Sequence, residues 1–130
     1  MDARIPGSEG SYIVVADEDR AIANFVIDTL ETDGHSVFWA YDGVSAVQIA
    51  LGLKLCDLVI SNSRVGGQAG IDLIIDLRER LPWLSILYLA NDARSTPEAE
   101  RKLPAGVPIL REPFSSDDLL SAVRRLLREA

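Results

Sequence analysis

The run Asp57-Leu58-Val59-Ile60-Ser61-Asn62-Ser63-Arg64-Val65-Gly66-Gly67-Gln68-Ala69-Gly70 decides the fold. Leu58-Val59-Ile60-Ser61 is a short, near-continuous apolar run, the composition of a strand covered on both faces. It ends on the polar Asn62-Ser63-Arg64, and Gly66, Gly67 and Gly70 then read as a loop. Past the loop, Ile71, Ile74 and Ile75 recur at helical spacing, and Leu81-Pro82 ends the helix. A buried strand, a loop and an amphipathic helix make the repeating unit of a parallel sheet.

The same unit recurs on both sides. Upstream, Tyr12 to Ala16 reads as a first strand, stopped by Asp17-Glu18-Asp19. A helix follows with Ile22, Phe25, Val26 and Leu30 on one face, and Asp33-Gly34 ends it. Ser36 to Ala40 is a second strand, and Asp42-Gly43 opens a helix with Val44, Val47 and Leu51 expected inward. Downstream, Ser85 to Leu89 is a fourth strand. Pro97 opens a short helix to about Leu103, and Val107 to Leu110 is a fifth strand. Ser115 caps the last helix, with Asp118 three residues on. Leu119, Leu120, Val123 and Leu127 would be buried there, while Arg124, Arg125 and Arg128 suit its C-terminal end. Five strands thus alternate with five helices, which predicts parallel pairing, right-handed crossovers and a three-layer α/β sandwich.

A chain of 130 residues fits one domain, with 1–11 (Pro6, Gly7, Ser8, Gly10, Ser11) as a flexible lead-in and 12–130 as the folded unit. With 48% hydrophobic and 25% charged residues, wholesale disorder is excluded. Thirteen Lys and Arg against 20 Asp and Glu give a net charge of −7, which disfavours binding a nucleic-acid phosphate backbone. Cys56 is the single cysteine; it excludes an internal disulfide and fits a reducing compartment. No apolar run approaches the ~18 residues of a membrane helix. Met1-Asp2-Ala3-Arg4 has no apolar stretch behind it, so the expected location is cytoplasmic.

In open parallel sheets chemistry lies beyond the carboxyl ends of the strands. Those ends carry Asp17-Glu18-Asp19, then Asn62-Ser63-Arg64, then Ala90-Asn91-Asp92, then Arg111-Glu112-Pro113-Phe114. The acidic run, the stretch from Asp57 to Gly70 and the Pro113-Phe114 pair, in this order and spacing, resemble the receiver domain of bacterial two-component response regulators across residues 12 to 128.

The resemblance implies a flavodoxin-like (βα)5 doubly wound sandwich with a five-stranded parallel sheet in the order 2-1-3-4-5. It also implies a mechanism. A receiver takes a phosphoryl group onto an aspartate at the end of its third strand. Two acidic residues after the first strand help hold Mg²⁺. A Ser or Thr ending the fourth strand and a Lys before the Pro-Phe step bind the phosphoryl oxygens. Here Asp17 and Glu18 match the acidic pair, but Asn62 stands where the phosphoacceptor aspartate belongs. Ala90 holds the hydroxyl position and Glu112 the lysine position. Ile109 holds the place of the usual aromatic switch residue, and Gly66 that of a loop proline.

These departures act on one step. A carboxamide has a delocalised nitrogen lone pair and no ionised oxygen, so Asn62 is no nucleophile toward phosphorus. Ala90 donates no hydrogen bond. Glu112 puts an anion where negative charge would arrive; at about 5 Å and an effective dielectric of about 20, exchanging attraction for repulsion with a dianion costs several kcal/mol. Ordinary aspartyl phosphorylation is therefore expected to be lost. Asn62-Ser63 is a deamidation candidate that would restore an aspartate. Arg111 lies beside Glu112, but neighbouring side chains in a strand point to opposite faces, and Arg64 would have to swing in from the loop, so either replacing the lysine is the less favoured reading. Asp17, Glu18 and the Asn62 carbonyl oxygen offer hard ligands suited to Mg²⁺, while Asp17 to Asp19 serve equally well as caps of the first helix.

The remaining residues have plainer readings. Gly66 to Gly70 lack the Gly-Lys-Ser/Thr ending of a phosphate loop. His35 reads as a surface histidine, Cys56 as a small packed residue, and Trp39 and Trp83 as packing or anchoring the sheet ends. The expectation is a receiver that docks a protein partner without being phosphorylated. That partner would be a histidine kinase, another regulator or an effector domain, and the resemblance also allows a homodimer through the fourth helix, fifth strand and fifth helix. The alternatives are a phosphorylatable receiver with a displaced or deamidated acceptor, and a flavodoxin-like module for a small ligand.

Overall fold

The computed structural model describes residues 10–53, 55–90 and 97–129, without the side chains of 98 and 129. In chain order the elements are β1 (Tyr12–Ala16), α1 (Arg20–Thr32), β2 (Ser36–Ala40), α2 (Gly43–Gly52), β3 (Cys56–Asn62), β4 (Arg64–Val65), β5 (Gln68–Ala69), α3 (Gly70–Arg80), β6 (Ser85–Ala90), α4 (Pro97–Glu100), β7 (Ile109–Arg111) and α5 (Ser116–Glu129). The main sheet is parallel and runs β2-β1-β3-β6-β7, which is the expected order 2-1-3-4-5 counted along its own strands. Most of the lead-in and the pair Asn91-Asp92 lie outside the described residues. No helix among the described residues is long and apolar enough to cross a membrane.

The strands separate two cores. On one face Val14, Val59, Ile86 and Tyr88 meet Ala46, Leu73, Ile74 and Leu77 from α2 and α3. On the other Ile13, Val15, Ile60 and Leu87 meet Val26, Leu30, Leu119 and Val123 from α1 and α5. Alternate residues of one strand feed opposite cores, so each central strand is apolar throughout. The Ser115–Asp118 capping box forms reciprocally, with both N–H···O contacts at 3.0 Å.

Several expectations need correction. The glycine loop contains a hairpin, β4 against β5, because Gly66 (φ +56°) and Gly67 (φ +80°) supply the two positive-φ residues a tight turn demands. The buried face of α2 is Gly43, Ala46 and Ala50, whereas Val44 and Leu51 point to solvent. Small residues let that helix sit close to the sheet, so bulk alone misreads its orientation. Phe25 and Trp83 are exposed. His35 is buried: its Nδ1 accepts from the backbone N–H of Ser11 at 3.0 Å, and its Nε2 lies 3.6 Å from Asp33, which is paired with Arg124 at 2.7 Å. The fifth sheet strand is Ile109–Arg111, shifted from the expected span, and α4 ends at Glu100.

Candidate functional site

Parallel alignment brings the ends of β1 and β3 side by side, with Ala16 in register with Ser61. The next residues, Asp17 and Asn62, are both buried. The Nδ2 of Asn62 donates to Oδ2 of Asp17 at 2.6 Å, and the backbone N–H of Asp19 donates to its Oδ1 at 2.8 Å. Burial pushes the Asp17 carboxyl up to about 6. The Asn62 and Asp19 hydrogen bonds pull it down, while the charges of Asp19 and Glu112 add to the rise.

The three acidic residues do different work. Asp17 turns inward to meet Asn62. Oε1 of Glu18 accepts from the backbone N–H of Gly67 at 2.8 Å and so fastens the β4–β5 turn. Asp19 caps α1, its Oδ1 accepting from the N–H groups of Ala21 and Ile22. Asx and Glu side chains alternate in direction along an extended segment, so consecutive acids need not converge. The structure brings Asp17 and Asn62 together and leaves Glu18 outside the pair.

Two partners were not legible as site residues. The Ser63 hydroxyl donates to Oδ1 of Asn62 at 3.2 Å, occupying the other end of the carboxamide. Trp39 Nε1 donates to the Asp17 carbonyl at 2.9 Å and holds the end of β1 against β2. The signal for Trp39 was its register one residue before the strand end, opposite Val15. Gly70 opens α3 directly against β3: a Cβ there would stand 1.9 Å from the Asn62 carbonyl oxygen.

Ala90 ends β6 and is buried, and its carbonyl accepts from the N–H of Glu112 at 3.0 Å. Glu112 is raised from its ordinary range by burial and then by the Asp19 charge. Its peptide bond to Pro113 is cis. Ile109 opens β7, in register with Tyr88, and is 36% exposed. Neither candidate arginine is bonded into the pocket: Arg64 donates to the Gly67 carbonyl at 3.0 Å, and Arg111 pairs with Glu100. Among the described residues, no group of three or more His, Cys, Asp or Glu is gathered as a metal site. Asp17 meets Asn62 while Glu18 is turned to the hairpin, so the three candidate ligands are not gathered on one point.

A parallel sheet in this order, with acidic residues at its carboxyl edge, defines a flavodoxin-like α/β fold. The family model for the response regulator receiver domain matches residues 13–124, and the chain belongs to that family. Its members are signalling domains of two-component systems that contact proteins such as histidine kinases and effectors, and they commonly bind Mg²⁺ at the phosphorylation site. Among solved structures, NtrX from Brucella abortus in complex with ADP superposes with a TM-score of 0.82 at 22% identity, over 92% of this chain and 27% of that one. This chain thus spans about a quarter of NtrX. A response regulator receiver domain protein from Clostridium thermocellum gives 0.82 at 21%, over 92% and 95%. The chemotaxis protein CheY4 of Vibrio cholerae gives 0.79 at 24%, over 90% and 98%. These likenesses speak to the fold.

Proposed function

We propose that residues 12–130 form a degenerate receiver that signals by docking protein partners without being phosphorylated. One observation carries this reading: the Asn62 carboxamide, at the position of the acceptor, donates to buried Asp17. The bond engages the carboxylate that relatives would offer to a cation, and Asn62 itself presents no ionised oxygen to phosphorus. Ala90 and Glu112 remove the hydroxyl and the cation that would hold an incoming phosphoryl group. No catalytic residue is assigned.

The partner is a histidine kinase, a second regulator or an effector domain in the cytoplasm. Its docking face is the groove between β7 and α5, lined by Val107, Pro108, Ile109, Ala122 and Leu126. The −7 charge of the chain argues against a nucleic-acid partner.

The test is incubation of freshly purified protein with Mg²⁺ and a small phosphodonor, followed by intact mass measurement. The expected result is an unmodified chain. A stoichiometric phosphate adduct overturns the proposal, and its location at residue 62 after deamidation would establish the phosphorylatable alternative. A thermal-shift screen addresses the small-ligand alternative, because a ligand that binds the folded state alone raises the melting midpoint.

A further inference from the structure

His35 is the single histidine of the chain, and it is buried at the start of β2. Its two ring nitrogens face different partners. Nδ1 accepts from the backbone N–H of Ser11 at 3.0 Å and so carries no proton of its own. The neutral ring therefore holds its proton on Nε2, 3.6 Å from Oδ2 of Asp33. The one nitrogen able to take up a further proton is the one that holds Ser11. Ser11 is where the chain enters the sheet: its carbonyl accepts from the N–H of Ser36 at 2.9 Å, just ahead of Tyr12 in β1. The next amide, that of Tyr12, donates at 2.8 Å to Oδ2 of Asp57 on β3. Side chains thus grip two consecutive amides at the entry to β1, one with an imidazole and one with a carboxylate.

We infer that His35 is a pH-operated latch on the entry to β1, at the edge of the sheet opposite the Asp17–Asn62 pair. A proton taken from solvent onto Nδ1 sets donor against donor. The Ser11 N–H is released, and the contact with Asp33 becomes an ion pair. Protonation therefore exchanges one partner for the other, which gives the ring two discrete arrangements. The charges around it come from two elements. At the C-terminal end of α1, Asp33 favours the imidazolium. From α5, Arg124, which is held by Asp33 at 2.7 Å, and Arg128, which lines the same cavity, oppose it. The Arg124 guanidinium holds the Asp33 carboxyl below its ordinary range, so the counter-charge is in place wherever the ring protonates. The closed latch binds no proton at Nδ1 and the open one does, so opening grows as the pH falls, by at most about tenfold per unit. The Tyr12–Asp57 bond takes no part in the exchange and limits the release to the chain ahead of Tyr12.

Histidine changes charge between about pH 5 and 8, so NMR on the full chain across that range tests the latch. At about pH 8, long-range proton–nitrogen correlations of the ring should place its proton on Nε2. Exchange of the Ser11 amide, corrected for its intrinsic pH dependence, should lose protection about tenfold or more by about pH 5, while Tyr12 keeps its protection. Neither reading needs a variant. His35→Asn supplies a carboxamide oxygen as an acceptor that does not titrate, and Ser11 protection should then be the same at both ends of the range. A ring proton on Nδ1 at about pH 8 overturns the inference. So does Ser11 protection that ignores pH in the wild type, a pH response that survives His35→Asn, or one that Tyr12 shares in full.

Discussion

Asn62 and Asp17 are joined by a hydrogen bond of 2.6 Å in which the carboxamide is the donor and a buried carboxylate the acceptor. The bond ties the carboxyl ends of β3 and β1 to each other. It is charge-assisted when Asp17 is ionised.

Asp17 makes the fold less stable as the pH rises. Its carboxyl titrates near 3.8 when unfolded and at about 6 when folded. Between those values the folded state holds more protons, so the unfolding free energy falls with rising pH, and the full cost is present above about 6. Discounted for solvent screening, that cost is about 2 kcal/mol. Asp33 and Asp42 are held below their ordinary range and act in the opposite sense, so the difference from a variant isolates the effect. Asp17→Asn keeps the pair bonded if the Asn62 amide turns over, with Ser63 Oγ then accepting. Urea unfolding from pH 4 to 8 should show the wild type losing ground to Asp17→Asn across the window; parallel profiles would refute the assignment.

Asn62→Asp places a second carboxyl against Asp17 and removes the donor. Two carboxylates at that distance cannot both ionise cheaply. The variant should be about 2–4 kcal/mol less stable at pH 8, from the lost charged hydrogen bond and the repulsion. The deficit should shrink below about pH 6 as one proton is shared. Equal stability at pH 8 would mean that the pocket already tolerates a second anion through water.

How much of this the sequence could reveal depends on the range of the forces involved. Strands buried on both faces announce themselves, because every residue from Leu58 to Ile60 faces one of two cores. The Ser115–Asp118 box is local and was readable as spacing. The inward face of α2 was not, since close approach to the sheet favours Ala46 and Ala50 over larger neighbours. His35 was misread because its acceptor role depends on Ser11, 24 positions away. The divergent roles of Asp17, Glu18 and Asp19 likewise depend on Asn62 and Gly67, distant partners that no local pattern names.

Glu18→Ala frees the Gly66–Gly67 turn. Glu18 reaches across 49 positions to accept from the Gly67 N–H, and the contact is exposed. An exposed bond of this kind contributes at most about 1 kcal/mol. Global stability should therefore change little, while the Gly67 amide exchanges with solvent up to about fivefold faster, since local opening is read in the same units. Hydrogen exchange followed by NMR separates the two effects. An unaltered Gly67 rate would mean that Arg64, donating to the Gly67 carbonyl, is sufficient to hold the turn.

Gly70→Ala should be the most damaging of the single-methyl changes. The added Cβ would meet the Asn62 carbonyl oxygen at 1.9 Å, the Ser61 hydroxyl at 2.9 Å and the Asn62 carbonyl carbon at 3.0 Å. Two of the three atoms are backbone of the central strand, which cannot yield without opening β3 from its neighbours. The N–H of Gly70 is also fixed, donating to the Ser63 carbonyl at 2.9 Å. A loss of about 3 kcal/mol or more is expected, at the upper end for point changes. Gly52→Ala is the control: nothing lies within 4 Å of its added Cβ, and the residue sits in α2, where alanine is the better helix former. It should be neutral or stabilising by up to about 1 kcal/mol. If urea melts gave the two variants the same stability, the close approach of α3 to the end of β3, and with it the positioning of Asn62 against Asp17, would be wrong.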